Sequence, residues 1–88
     1  MSAAGNNEPR IDRVEVSDEL ITASLTDGRV ISVPLAWSWR LSSATTEQRR
    51  HHELIGDGEG AYWPDIDEDI SARGMLLGVP ARPPKSSV

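Results

Sequence analysis

The sequence has no cysteine and no phenylalanine, and its large aromatic side chains are three tryptophans and one tyrosine. The lack of cysteine excludes a disulfide framework, a thiolate nucleophile and a cysteine-based zinc site, and it is compatible with a reducing compartment. The core must therefore be built from valine, isoleucine, leucine and alanine, with Trp37, Trp39 and Trp63 as its largest side chains. A chain of 88 residues with such a core is expected to form one domain of modest stability.

Long apolar runs are absent as well. No stretch reaches the roughly 18 apolar residues of a membrane span, and residues 1–8 have neither the basic nor the apolar part of a signal peptide. We therefore expect no membrane association and a cytoplasmic location.

Basic residues are few, since nine lysines and arginines stand against 14 acids and give a net charge of -5. Non-specific nucleic-acid binding depends on clustered lysine and arginine, so nucleic acid is disfavoured as a partner. An acidic protein of this size is better suited to a protein partner, especially a basic one.

Small polar residues and prolines mark the two ends of the chain. Residues 1–9 and the proline-rich residues 80–88 are expected to be disordered tails, which leaves residues 10–79 as a single α+β domain.

Alternating apolar residues predict three strands near residues 10–16, 20–26 and 29–35. Short turns separate them, so we expect a three-stranded antiparallel meander. Pro34 cannot donate a hydrogen bond to a sheet, so the third strand should lie at an edge or should have left the sheet by that residue.

The dipeptide Asp27-Gly28 predicts a hairpin turn between the second and third strands. A two-residue loop would set Leu25 opposite Val30 and divide the apolar residues between two faces. A three-residue loop with Gly28 at positive φ sets Ala23 opposite Ile31 and unites them on one face. We therefore expect the bulged turn.

Helices are predicted to cover this face. Thr45 and Gln48 fit the capping box of a helix of about ten residues that ends at Gly56. Asp65 or Asp67 is expected to cap a second helix. The predicted fold class is α+β, a three-stranded antiparallel β-meander covered by one helix and a short second helix.

Several local motifs occur together within residues 14–78. They are Asp27-Gly28-Arg29, Val33-Pro34-Leu35-Ala36-Trp37, Glu53-Leu54-Ile55-Gly56 and Trp63-Pro64-Asp65-Ile66-Asp67-Glu68-Asp69-Ile70. This combination resembles the bacterial family named domain of unknown function 2442, and the last motif is its most specific part. The resemblance implies a small α+β fold with no assigned enzymatic activity. It also implies that a partner is encoded nearby, because many members occur beside another small protein in toxin–antitoxin-like pairs.

Residues 57–69 carry six acids and no base. The acids either pair with arginines inside the molecule, which is the simpler interpretation, or face a cationic partner. The candidate partner-binding residues are the last four acids of this segment and three apolar residues further on, namely Asp65, Asp67, Glu68, Asp69, Met75, Leu76 and Leu77. The candidate nucleic-acid-binding residues, under an alternative interpretation, are Arg40, Arg49 and Arg50.

No group of residues predicts a reaction or a bound metal. Asp65, Asp67 and Asp69 alternate as in a calcium loop, but Ile70 and Leu76 stand where that loop needs glycine and glutamate. We expect no catalytic residue, no metal and no cofactor.

The expected function is a non-catalytic protein-interaction module, either the antitoxin-like or the accessory half of a two-protein bacterial system. The alternative is a nucleic-acid-associated transcriptional regulator. Because only the third strand carries a protective proline, we also expect association with a partner or as a homodimer, through an open sheet edge and Met75, Leu76 and Leu77. Trp63, between a glycine-rich loop and Pro64, is predicted to be a buried anchor.

Overall fold

The computed structural model describes residues 8–78. The tails predicted at 1–9 and 80–88 lie outside this range, except for Glu8 and Pro9, which belong to no helix or strand.

The first sheet consists of β1 (Ile11–Val16), β2 (Leu20–Leu25) and β3 (Val30–Pro34), antiparallel and in the order β1-β2-β3. The predicted meander is therefore confirmed, and β3 with its proline lies at an edge of the sheet.

The turn between β2 and β3 is the bulged turn expected from the sequence. Ala23 pairs with Ile31, and Gly28 has a φ of 98°. The amide of Leu25 donates to the carbonyl of Arg29 at 2.8 Å, which closes the three-residue loop. This register collects the buried side chains of the sheet on one face: Ile11, Val14, Ile21, Ala23, Leu25 and Val33.

A second antiparallel sheet, which the sequence analysis did not predict, packs against that face. It consists of β4 (Glu53–Ile55), β5 (Gly60–Trp63) and β6 (Glu68–Ser71), in the order β4-β5-β6. Ala61 and Trp63 of β5 join the same buried cluster as the side chains of the first sheet. The α+β class is confirmed, but the expectation that a helix forms the main cover is wrong.

Short helices connect the two sheets and follow them. They are α1 (Trp39–Ser42), α2 (Thr46–Arg50) and α3 (Ala72–Leu77), together with 3-10 helices at Leu35–Trp37 and Gly56–Gly58.

The capping box of α2 is confirmed, because the Thr45 hydroxyl accepts from the Gln48 amide at 3.1 Å and the Gln48 side chain accepts from the Thr45 amide at 3.0 Å. The predicted length is wrong, since α2 has five residues and ends at Arg50. Residues 53–55 pair with β5 instead, which gives their backbone groups partners in a sheet while their side chains stay exposed.

The helix predicted to start at Asp65 or Asp67 is also wrong. Residues 64–67 form the turn between β5 and β6, with Asp67 at a φ of 52°, and the acids that follow lie in a strand. Helix α3 begins only at Ala72, where the Ser71 hydroxyl accepts from the Gly74 amide at 2.8 Å.

Trp63 is the largest fully buried side chain, at 0% exposure, which confirms its prediction as an anchor. Its Nε1 donates to the carbonyl of Arg49 at 2.9 Å, and its ring lies 5.6 Å from the ring of His52. Trp63 thus links the end of α2 and the following His52 to the second sheet through one hydrogen bond and one ring contact.

Candidate protein-interaction site

The outer face of the second sheet carries a row of polar side chains. Glu53 pairs with Tyr62, and Tyr62 pairs with Asp69, so one residue from each strand lies in the row. Side chains alternate between the faces of a strand, and the neighbours of Tyr62, Ala61 and Trp63, point into the core. The row therefore lies on the side away from the core.

Asp67 extends this row from the turn between β5 and β6. The Tyr62 hydroxyl donates to Asp67 Oδ1 at 3.2 Å. This hydrogen bond raises the pKa of Tyr62, with smaller contributions from desolvation and from the negative charges of Asp67, Glu53 and Asp69. Three carboxylates therefore lie close enough to Tyr62 to affect its pKa. We call the surface formed by Glu53, Tyr62, Asp67 and Asp69 the acidic face.

The carboxylates of the acidic face are not neutralised by ion pairs in the described part of the chain. Within residues 8–78, no ion pair involves Glu53, Asp67 or Asp69. Four arginines pair elsewhere, in Arg10–Asp57, Arg29–Asp27, Arg49–Asp18 and Arg73–Glu8, and Arg40 donates to the backbone carbonyl of Asp67, not to its carboxylate. The expectation that arginines neutralise Asp65, Asp67, Glu68 and Asp69 is therefore wrong.

A depression adjoins the acidic face where Gly60 has no side chain. The cavity has a volume of about 170 Å³, and its lining includes Ile55, Glu59, Asp69 and Ser71. An apolar wall beside two carboxylates suits a lysine or arginine side chain, which packs its methylenes on apolar surface and keeps its charge near an acid.

The other predicted partner-binding residues lie outside the acidic face. Asp65 lies 2.9 Å from His51 Nδ1. Glu68 is buried, and Met75 is a core residue within α3. Leu76 and Leu77 are exposed, to 43% and 66%.

Glu68 cannot contact a partner from its place in the core. The Ser38 hydroxyl donates to Glu68 Oε2 at 2.5 Å, and the Asp69 amide donates to Glu68 Oε1 at 3.1 Å. Because β6 is a strand and not a helix, Glu68 and Asp69 point to opposite faces.

The predicted nucleic-acid-binding arginines do not form one patch. The side chain of Arg49 is 11% exposed, and it donates to Asp18 and to the carbonyls of Leu41 and Ser42. Arg40 lies over the ring of Trp39, 4.8 Å from its centroid, and donates to the carbonyl of Asp67. Arg50 is exposed.

Residues 8–78 contain no group of three or more histidine, aspartate or glutamate side chains placed to hold a metal ion. Among these residues, none of the helices has the length and apolar character that a membrane span requires.

The titration of Tyr62 tests the geometry of the acidic face. The chain has one tyrosine, so an ultraviolet pH titration reads this residue alone. We expect a pKa above the usual value of 10.0, and we expect Asp67→Asn to move it back towards that value because the negative acceptor is removed.

The matched control for this titration is Asp65→Asn. Asp65 lies two residues before Asp67 in the chain, but its carboxylate pairs with His51. An unchanged pKa in Asp67→Asn, or an equal shift in both variants, would contradict the arrangement of the acidic face.

Residues 11–81 match the model of a family described as "Protein of unknown function (DUF2442)". A crystal structure of a protein of unknown function from Rhodospirillum rubrum is 26% identical with a TM-score of 0.75, over 86% of this chain and 94% of that chain. A solution NMR structure of an uncharacterized protein from Chromobacterium violaceum is 25% identical with a TM-score of 0.70, over 83% of this chain and 69% of that chain. No curated protein matches the chain.

Proposed function

The chain belongs to the DUF2442 family, and we propose that it is a non-catalytic module that binds a basic protein through its acidic face. The observation that supports this most is the group of three carboxylates around Tyr62 without an ion-pair partner in residues 8–78. We place the module as the antitoxin-like or accessory half of a two-protein bacterial system, in line with the family resemblance.

The acidic face has the properties of a surface that selects its partner by charge. Its carboxylates are carried by strands β4 and β6, which both pair with β5, and by one tight turn, so they are held in place before a partner arrives. Charges arranged in this way accelerate the encounter with a basic partner and exclude acidic ones, while apolar contacts supply most of the affinity. Tyr62 and the nearby Ile55 provide such contacts.

The exposed Leu76 and Leu77 provide a further apolar contact at the end of α3. Since α3 follows β6 directly at Ser71, these leucines and Asp69 lie on consecutive elements. A homodimer is the other form of association that we consider. It would use the leucines and the exposed edge strand β4, because two acidic faces repel each other.

A pull-down from the source cell at low and at moderate salt tests the proposal. The bait is the parent chain, the double variant Glu53→Gln with Asp69→Asn, or a charge-matched control, Asp12→Asn with Glu19→Gln, at exposed acids outside the face. We expect one stoichiometric basic protein with the parent and the control, and its loss with the face variant, more completely at moderate salt.

Retention of that protein by the face variant would refute the acidic face as the binding site. Nucleic acid in place of a protein would favour the alternative function as a transcriptional regulator, in which the exposed Arg50 would take part. If sedimentation of the isolated parent shows a dimer that Leu76→Asp dissociates, the association is with a second copy.

A further inference from the structure

The first sheet leaves part of one edge open. Strand β1 pairs only with β2, so its other side has no strand neighbour among residues 8–78. The start of β1 is covered, because a Cβ at Gly58 would lie only 2.7 Å from the carbonyl oxygen of Ile11. The opposite end, residues 14–17, lines a cavity of about 460 Å³. We call this cavity the edge groove.

The backbone of β1 presents hydrogen-bonding groups to the edge groove. The amide of Ser17 donates to the carbonyl of Leu20 in β2, so the backbone groups of residues 17 and 15 point towards β2. The direction of these groups alternates along a strand, and those of Val14 and Val16 therefore point outwards. Neither valine makes a backbone hydrogen bond outside its sheet in the described part of the chain. The edge is thus ready to pair with another strand.

The edge groove has an acid on its strand side and two arginines on the facing wall. Glu15 lines it from β1, and Arg49, Arg50 and His52 line it from the other side. Arg49 is fixed by its bonds to Asp18 and to two carbonyls, whereas Arg50 is exposed and has no ion-pair partner within residues 8–78. Arg50 is therefore the arginine of this wall that remains available to an acidic occupant.

His52 also lines this wall. One side of the ring contacts Trp63, and its Nδ1 is buried without a hydrogen-bond partner among the described residues. Because this nitrogen is closed off from the groove as well as from solvent, His52 packs against Trp63 and its Nδ1 offers no contact to an occupant.

The geometry points to the edge groove as a second binding site, which takes an extended acidic segment of another protein as an added strand beside residues 14–17. Main-chain hydrogen bonds from Val14 and Val16 hold the segment, and side chains at alternate positions face the wall. Acidic side chains at those positions are complementary to Arg50. The site lies on the first sheet and the acidic face on the second, so a variant of one leaves the other intact.

Amide NMR with a capped synthetic peptide of alternating glutamate and valine tests this site. We expect the amides of Val14 and Val16 to shift and to become protected from hydrogen exchange. Arg50→Gln should weaken binding by about fivefold, the effect of losing one exposed ion pair. Arg73→Gln is the matched control, because this exposed arginine pairs with Glu8 and does not line the groove.

Three results would overturn the proposal. The first is equal binding of the peptide with lysine in place of glutamate. The second is a failure of the acidic peptide to bind or to protect the amides of Val14 and Val16. The third is protection of these amides in the peptide-free protein that increases with protein concentration, which would identify a second copy of the chain as the occupant.

Discussion

Replacing Trp63 with alanine is expected to lower the free energy of unfolding by about 3–5 kcal/mol, the usual loss for truncation of a large buried aromatic side chain. Trp63 is completely buried, and its Nε1 bonds the carbonyl of Arg49. The truncation therefore creates a cavity between the sheets and leaves that carbonyl without its donor. In a domain of this size the loss approaches the whole stability. Urea denaturation followed by circular dichroism measures it.

Trp63→Phe separates the two contributions, because it keeps an aromatic ring and removes the Nε1 donor. We expect an intermediate loss that leaves the protein folded. A melting temperature of Trp63→Ala within a few degrees of the parent would show that the side chain carries little of the packing between the sheets.

The burial of Trp63 and the bulged turn at Gly28 were predictable because both depend on local chemistry. A tryptophan followed by proline after a glycine-rich loop indicates an anchor, and the alternation around Asp27-Gly28 allows one register that unites the apolar face. These features need no knowledge of distant contacts.

The second sheet was not predictable from the same kind of evidence. Strand β4 has three residues, which is too short for a period-two pattern, and it follows the capping box at Thr45. The acids near Asp67 match the first turn of a helix equally well. Both segments form strands because they pair with β5. That pairing depends on turns where Asp57 and Asp67 adopt positive φ.

The failure to predict the second sheet also explains which residues of the candidate site were missed. Asp67 and Asp69 were identified from their charge, but Glu53 and Tyr62 were missed because their proximity results from strand pairing. Glu68 was placed with its neighbours, although alternation along a strand turns it into the core. The sequence Ala61-Tyr62-Trp63 does not alternate polar and apolar residues, so the outer face of β5 is recognised only from the alternating burial in the structure.

The buried carboxylate of Glu68 leads to the second large effect. Ser38 is 1% exposed, and its hydroxyl has two roles: it donates to Glu68 and accepts from the Leu41 amide at 3.1 Å as the N-cap of α1. Ser38→Ala removes both bonds and leaves a buried carboxylate without that donor. We expect a loss of about 3 kcal/mol in the free energy of unfolding, from the cap and from the hydrogen bond to a charged group together. Urea denaturation measures this loss.

The matched control is Ser71→Ala, which removes the N-cap hydroxyl of α3 where no buried acid is bound. We expect it to cost about 1 kcal/mol, the usual value for a cap. Equal losses in the two serine variants would refute a special role of Glu68. Repeating Ser38→Ala in a Glu68→Gln background completes the test, since the serine should then cost about 1–2 kcal/mol less because no charge remains to be left unpaired.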